Sequence, residues 1–206
     1  MKGEEIILNS HQKDALCELC NIGMGHATTS LAQLVGRTIF FEVPRIWQLK
    51  VSEVPGLIGE GKEPVVGIYL RYKGPITGNI LLIFPKKSAL LIREIITGEV
   101  RCELIFDEYQ ISLLKEFGNI LVGSYLSVME NLLGMCLVQS VPWFAFDLAS
   151  AIVDQILIQL GEYSEPAIVI EAEFYVRESP ELRGNFYLIP DPGSLSLMLK
   201  AMGIRD

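Results

Sequence analysis

The sequence predicts an α/β fold of the α+β type. It reads as a single domain of two intertwined, pseudo-symmetric repeats, with an antiparallel-rich sheet and two long surface helices. Two observations predict this. Slid along itself by 98 residues, the chain carries Asp14–Pro44 onto Ser112–Pro142 without a gap, and Leu16, Glu18, Asn21, Ile22, Gly25, Leu34, Gly36, Val43 and Pro44 each meet their own kind. Both halves also run in the same order: a long helix, a short strand, a pair of apolar strands and a closing helix. Two halves of roughly 100 residues gain more by sharing one core than by standing apart. The repeats are read at 10–98 and 108–203, with an additional helix at about 146–160.

Taken in order, Asn9 or Ser10 can cap a helix running from about His11 to Val35 and stopping at Gly36. Thr38–Val43 reads as a strand ended by Pro44. Ile46–Val54 matches neither template, and Pro55–Gly61 has the composition of a loop. Val65–Tyr72 and Gly78–Phe84 read as strands joined at Lys73-Gly74-Pro75. A helix from Lys86 to Thr97 closes at Gly98, and Val100–Asp107 links the halves. In the second half a helix from about Asp107 to Leu133 stops at Gly134, and a strand reaches Val141-Pro142. Ala167–Val176 and Asn185–Ile189 repeat the paired strands, and Ser194–Met202 the closing helix. Phe146–Leu160 is amphipathic and apolar, with no counterpart legible in the first half.

Half of the 206 residues are hydrophobic and a fifth are charged, a globular composition. The net charge of −8 argues against a nucleic-acid surface, which needs clustered Lys and Arg. The N-terminus lacks the apolar stretch of a secretory signal, and no run approaches a membrane span, so a cytoplasmic location is expected. Four cysteines are too few for a disulfide framework, and the Cys17-x-x-Cys20 pair lacks a second ligand pair. The cysteines read as reduced thiols in a packed helix. His11 and His26 have no copies in the second half and read as surface or packing residues.

At 100° per residue, Leu16, Leu19, Cys20, Gly23, Ala27, Leu31 and Leu34 share one face of the first helix. Asp14, Glu18, Asn21 and Gly25 lie within about 40° of a line on the opposite face. In the second helix Leu114, Phe117, Leu121, Tyr125 and Leu132 form the core face, and Ser112, Glu116, Asn119 and Gly123 the outward line. Asn is a mediocre helix former, and a mid-helix Gly costs roughly 1 kcal/mol against Ala. A merely solvated face has no use for either. The glycines clear space where another molecule can press close. A carboxamide can hold a water as donor and acceptor together and aim it at phosphorus, while a carboxylate can pair with a partner's lysine. Such a site carries no metal of its own.

These stretches resemble the signatures of the CheC family of chemotaxis phosphatases, the CheC, CheX and FliY group. Glu18-Leu19-Cys20-Asn21-Ile22-Gly23-Met24-Gly25 resembles the first, and Glu116-Phe117-Gly118-Asn119-Ile120-Leu121-Val122-Gly123 the second. The resemblance covers nearly the whole chain, and a length without an appended domain favours CheC within the group. It implies hydrolysis of the aspartyl phosphate of the response regulator CheY at two sites per chain. Asn21 and Asn119 would orient the attacking water, and Glu18 and Glu116 would engage a regulator lysine. Asp14, Gly25, Ser112 and Gly123 would support docking, and the phosphorylated partner would bring Mg²⁺. The resemblance also implies binding of the deamidase CheD through Phe146–Ile152, with Asp147 at its polar position. Unbound, the chain is expected to be a monomer. Two other readings are a CheD-binding adaptor with weak phosphatase activity, and a flagellar-switch component like FliY or FliM, which would be expected to carry a further C-terminal domain.

Overall fold

Helix α1 spans Ser10–Val35 and begins with a reciprocal cap: Asn9 Oδ1 accepts from Gln12 N–H at 2.9 Å, and Asn9 N–H donates to Gln12 Oε1 at 3.0 Å. Helix α4, Glu108–Leu133, is capped by Asp107, whose Oδ1 accepts from Gln110 N–H at 2.8 Å. Both caps obey the 98-residue offset, so the register of the repeat begins ahead of the motifs. Both helices close on a glycine in the left-handed region, Gly36 at φ 64° and Gly134 at φ 63°, a conformation without penalty only for glycine. The computed structural model of the chain describes residues 8–58, 61–98, 106–160 and 167–204. Most of the linker expected at Val100–Asp107, and Gly59 and Glu60 of the expected loop, lie outside the described residues.

The strands are β1 (Phe40–Phe41), β2 (Arg45–Leu49), β3 (Val65–Lys73), β4 (Gly78–Pro85), β5 (Val138–Gln139), β6 (Trp143–Asp147), β7 (Ala167–Val176) and β8 (Ser179–Pro190). The remaining helices are α2 (Val54–Ile58), α3 (Lys86–Thr97), α5 (Ala149–Leu160) and α6 (Ser194–Ala201). Among the described residues the strands form one antiparallel sheet in the order β1-β7-β8-β4-β3-β5, with β2 also on β7 and β6 also on β3. First-half strands β1 and β2 therefore add to second-half β7, and second-half strands β5 and β6 add to first-half β3. The repeats are intertwined through their hydrogen bonds.

Both faces of the sheet are covered, which is why its central strands are nearly unbroken apolar runs and not alternating ones. On β4, Ile80, Leu82 and Phe84 join the larger core with α1, α3, α4 and α6. Leu81 and Ile83 join a smaller core on the opposite face, built with Val54 and Ile58 of α2 and Ile152, Val153 and Ile156 of α5. The two long helices lie side by side on the first face. They pack tightly at Gly23, where an added Cβ would lie 2.6 Å from the ring of the buried Tyr125.

The sequence reading differs from the structure at several places; β8 begins six residues before the expected Asn185, and β5 stops at Gln139, short of Val141-Pro142. Thr38–Val43 forms only the two-residue β1; Glu42 N–H still donates to the Glu173 carbonyl oxygen at 2.8 Å, and the pairing with β7 resumes at Arg45 after one extra residue on this side. Val54–Ile58, spanning the end of the unassigned stretch and the start of the expected loop, is helical; Pro55 stands in the first turn, where its missing N–H costs nothing. The helix expected at 146–160 begins at Ala149, because Phe146 and Asp147 are held in β6 by pairing with Val66 and Val65. That helix does have a first-half counterpart. The 3₁₀ turn Val51–Glu53 and α2 fall on Ala149–Ile156 at the same offset, and Val54 and Ile58 take the places of Ile152 and Ile156. Finally, Leu132, on the expected core face, is 45% exposed, and its neighbour Leu133 is buried in the larger core instead.

Replacing Gly23 with Ala forces a methyl into a ring that is fully enclosed, and is expected to lower stability by about 1–3 kcal/mol. Gly25→Ala meets nothing within 4 Å and should instead raise helix stability by about 1 kcal/mol. Urea unfolding of both variants checks the pair, and equal stabilities would contradict the helix packing.

Candidate functional site

The outward line survives folding in both helices, with matching exposure at matching positions. Asp14, Glu18, Ser112 and Glu116 are exposed, and Asn21, Gly25, Asn119 and Gly123 are half-buried. One turn of helix separates each carboxylate from its amide, so the two side chains share a face. In α4, Asn119 Nδ2 donates to Glu116 Oε2 at 3.4 Å. Because α1 and α4 pack against each other on one side of the sheet, both lines belong to the same layer of the molecule. A shallow depression of about 230 Å³ adjoins Ser112 and Glu116, lined also by Leu34, Ile96, Tyr109, Leu113 and Phe117. It gives a docking partner apolar surface beside a carboxylate.

The two lines differ in one respect that sequence reasoning missed. Gln139, at the end of β5, lays its amide over the second line. Its Nε2 donates to Asn119 Oδ1 at 2.5 Å, and also approaches the Asn119 carbonyl oxygen at 3.4 Å. It lies 3.6 Å from where a Cβ of Gly123 would stand, so the space left by this glycine is bordered by the chain's own side chain. In the first line the Asn21 Oδ1 is buried and finds no donor among the described residues, and the space at Gly25 is open. The 98-residue offset places Phe41 where the second half has Gln139, and a phenyl ring has no hydrogen to donate. Sequence carried no distinct signal for Gln139, because Phe41/Gln139 is one of many positions at which the two halves differ.

Asp147 lies apart from both lines. It ends β6 and its Oδ1 accepts from Leu148 N–H at 2.7 Å, so it caps the passage from strand to helix. The following helix buries its apolar residues Ile152, Val153 and Ile156 against the sheet and α2, so its apolar face is part of the smaller core. The apolar surface left beside Asp147 is that of Phe146 and Leu148, 37% and 39% exposed. Lys86 Nζ lies 5.6 Å from the centre of the Phe146 ring.

The chain matches the family model described as the CheC-like family over residues 12–47 and 110–141, the two stretches that carry the repeated line. It is 34% identical over 201 residues, covering 95% of this chain and 96% of the relative, to the CheY-P phosphatase CheC of Bacillus subtilis (strain 168). The flagellar motor switch phosphatase FliY of the same organism is 24% identical over 126 residues, covering 60% of this chain and 32% of that protein. The X-ray crystal structure of Thermotoga maritima FliY resembles the fold with a TM-score of 0.77 at 24% identity, covering 96% of this chain and 98% of that one.

The Cys17-x-x-Cys20 pair takes no part in either line. Burial pushes the Cys20 thiol up to about 12, and burial followed by the charge of Asp14 raises that of Cys17. Both effects hold the sulfur protonated, the form that neither attacks nor binds metal. Cys17 Sγ donates to the Pro44 carbonyl oxygen at 3.4 Å, tying α1 to the chain between β1 and β2. Iodoacetamide should therefore label the exposed Cys136 and leave Cys20 unmodified until the protein unfolds, as peptide mass spectrometry would show. Rapid labelling of Cys20 in the native protein would contradict its burial.

Proposed function

The chain belongs to the CheC-like family, and on that premise we propose that it is a phosphatase that hydrolyses the aspartyl phosphate of the chemotaxis response regulator CheY. The reading rests on one observation above all: an exposed carboxylate one turn ahead of a half-buried carboxamide, on the outer face of each of two paired helices. The similarity to the Bacillus subtilis CheY-P phosphatase spans both lines and supports the assignment of substrate.

In this mechanism the chain is not itself phosphorylated. Glu18 or Glu116 accepts from a lysine of the regulator's active site and fixes the docked orientation by a charge-assisted hydrogen bond. Asn21 or Asn119 then holds a water as acceptor and donor together, with its oxygen aimed along the line of the breaking P–O bond. Water supplies the nucleophile, the regulator's aspartate leaves as a carboxylate, and inorganic phosphate is released. Positioning is most of what phosphoryl transfer asks of a protein, because the loose transition state needs in-line geometry and charge stabilisation more than a strong base. The Mg²⁺ that neutralises the phosphoryl oxygens belongs to the regulator's own site. Asp14 and Ser112, a turn ahead of the carboxylates, extend the contact, while Gly25 and Gly123 admit the partner's backbone. The protein acts in the cytoplasm and is monomeric when free of its partners.

Asn21→Ala combined with Asn119→Ala should bring phosphate loss from phospho-CheY down to the regulator's own rate, with the unfolding transition unchanged. Full activity in the double variant would sink the proposed mechanism. A second partner is assigned to the surface of Asp147, Phe146 and Leu148, where a carboxylate stands between two exposed apolar side chains, and the partner proposed for it is CheD. Reversing the charge with Asp147→Lys should weaken CheD binding about tenfold and leave dephosphorylation intact. Unchanged affinity in a calorimetric titration would remove that surface from consideration.

A further inference from the structure

The repeat gives both candidate sites the same carboxylate, carboxamide and glycine, yet only one of them holds its carboxamide. An asparagine side chain rotates over a broad range at χ2, and its oxygen and nitrogen ends are nearly equal in size. Packing alone therefore does not decide which end faces outward. A donor that reaches only one end does decide it. The Gln139 Nε2 is such a donor, since only the oxygen of Asn119 can accept from it. With Oδ1 held there, Nδ2 is turned toward Glu116. A carbonyl oxygen has two lone pairs, so one remains for a water after Gln139 has taken the other. The donor is itself anchored, because Gln139 sits opposite Tyr72 in the ladder between β5 and β3.

From this geometry we infer that Gln139 is a positioning residue of the second site. It pre-orients the Asn119 carboxamide for the attacking water, and the first site, with Phe41 at the equivalent place, lacks this device. The two sites are accordingly unequal: the second turns over faster once a regulator is docked, while docking itself is similar at both. The inference rests on the proposed function, because a pre-oriented amide matters only if that amide takes part in hydrolysis. Pre-orientation acts on the bound complex and so belongs in kcat and not in KM.

The test uses the full chain with phosphorylated CheY and Mg²⁺, measuring phosphate release across regulator concentrations. In an Asn21→Ala background, where the second site works alone, Gln139→Leu removes the donor at similar size and should lower kcat about tenfold, with KM within about twofold. Gln139→Glu should do the same, since a carboxylate cannot donate to Oδ1. In an Asn119→Ala background, where the first site works alone, Gln139→Leu should change nothing. The Asn21→Ala, Asn119→Ala double variant sets the baseline. If that double variant keeps the wild-type rate, the functional reading fails with everything built on it. If it is inactive, but Gln139→Leu leaves kcat unchanged or raises it, only the role of Gln139 is overturned. A second site with no rate above baseline overturns it equally. Independently of activity, side-chain ¹⁵N relaxation should find the Asn119 amide more ordered than that of Asn21, and Gln139→Leu should abolish the difference. Equal order in the wild-type protein would refute the inference.

Discussion

The exchange of edge strands between the halves is the constraint on which the rest of the structure depends. Strand β2 of the first half finds its partner in β7, with Arg45 opposite Glu171, and β6 of the second half finds its partner in β3, with Trp143 opposite Tyr69. Neither half can complete its sheet alone, because each lends its first strands to the other and meets it along the central β4–β8 ladder. Unpaired backbone groups inside a sheet are costly, so the halves must order together. The same exchange brings the helix that precedes each lent strand to one side of the sheet. There α1 and α4 meet across Gly23 and Tyr125.

That arrangement explains how a helix can present costly residues outward. The stability of α1 and α4 comes from their inner faces, where Leu16, Leu31, Phe117 and Leu121 are fully buried. Against such burial, each side chain worth about 1.5–3 kcal/mol, an asparagine and a glycine on the outer face are a small loss. The outer face is thus free to carry chemistry. The opposite side of the sheet does structural work with the same symmetry, since α2 and α5 pair Val54 and Ile58 with Ile152 and Ile156 in one small core.

Symmetry of scaffold does not impose symmetry of site. The helices repeat their caps, their glycine stops and their exposure pattern, but the strand beside each site comes from a region under different demands. Phe41 in β1 packs against the larger core, whereas Gln139 in β5 turns its amide to Asn119. A side chain that is neither catalytic in type nor part of the repeated pattern separates two constellations that share their carboxylate, carboxamide and glycine.

The sequence by itself determined the two long helices, their stops at Gly36 and Gly134, and the outward lines of Glu18, Asn21, Glu116 and Asn119. These follow from helical period, caps and glycine conformation, which act within a few residues and are legible along the chain. It also carried the family, because the repeated line lies in the stretches the family shares. Only the tertiary structure decided what depends on neighbours distant in sequence. Val54–Ile58 became a helix because α5 and the sheet bury its apolar side, and Phe146 and Asp147 became strand because β3 offered them an open edge. Gln139 entered the site because strand pairing carried it across 20 residues of chain to Asn119. A hydrogen bond of that separation leaves no periodicity to read, and only the fold could bring its two ends together.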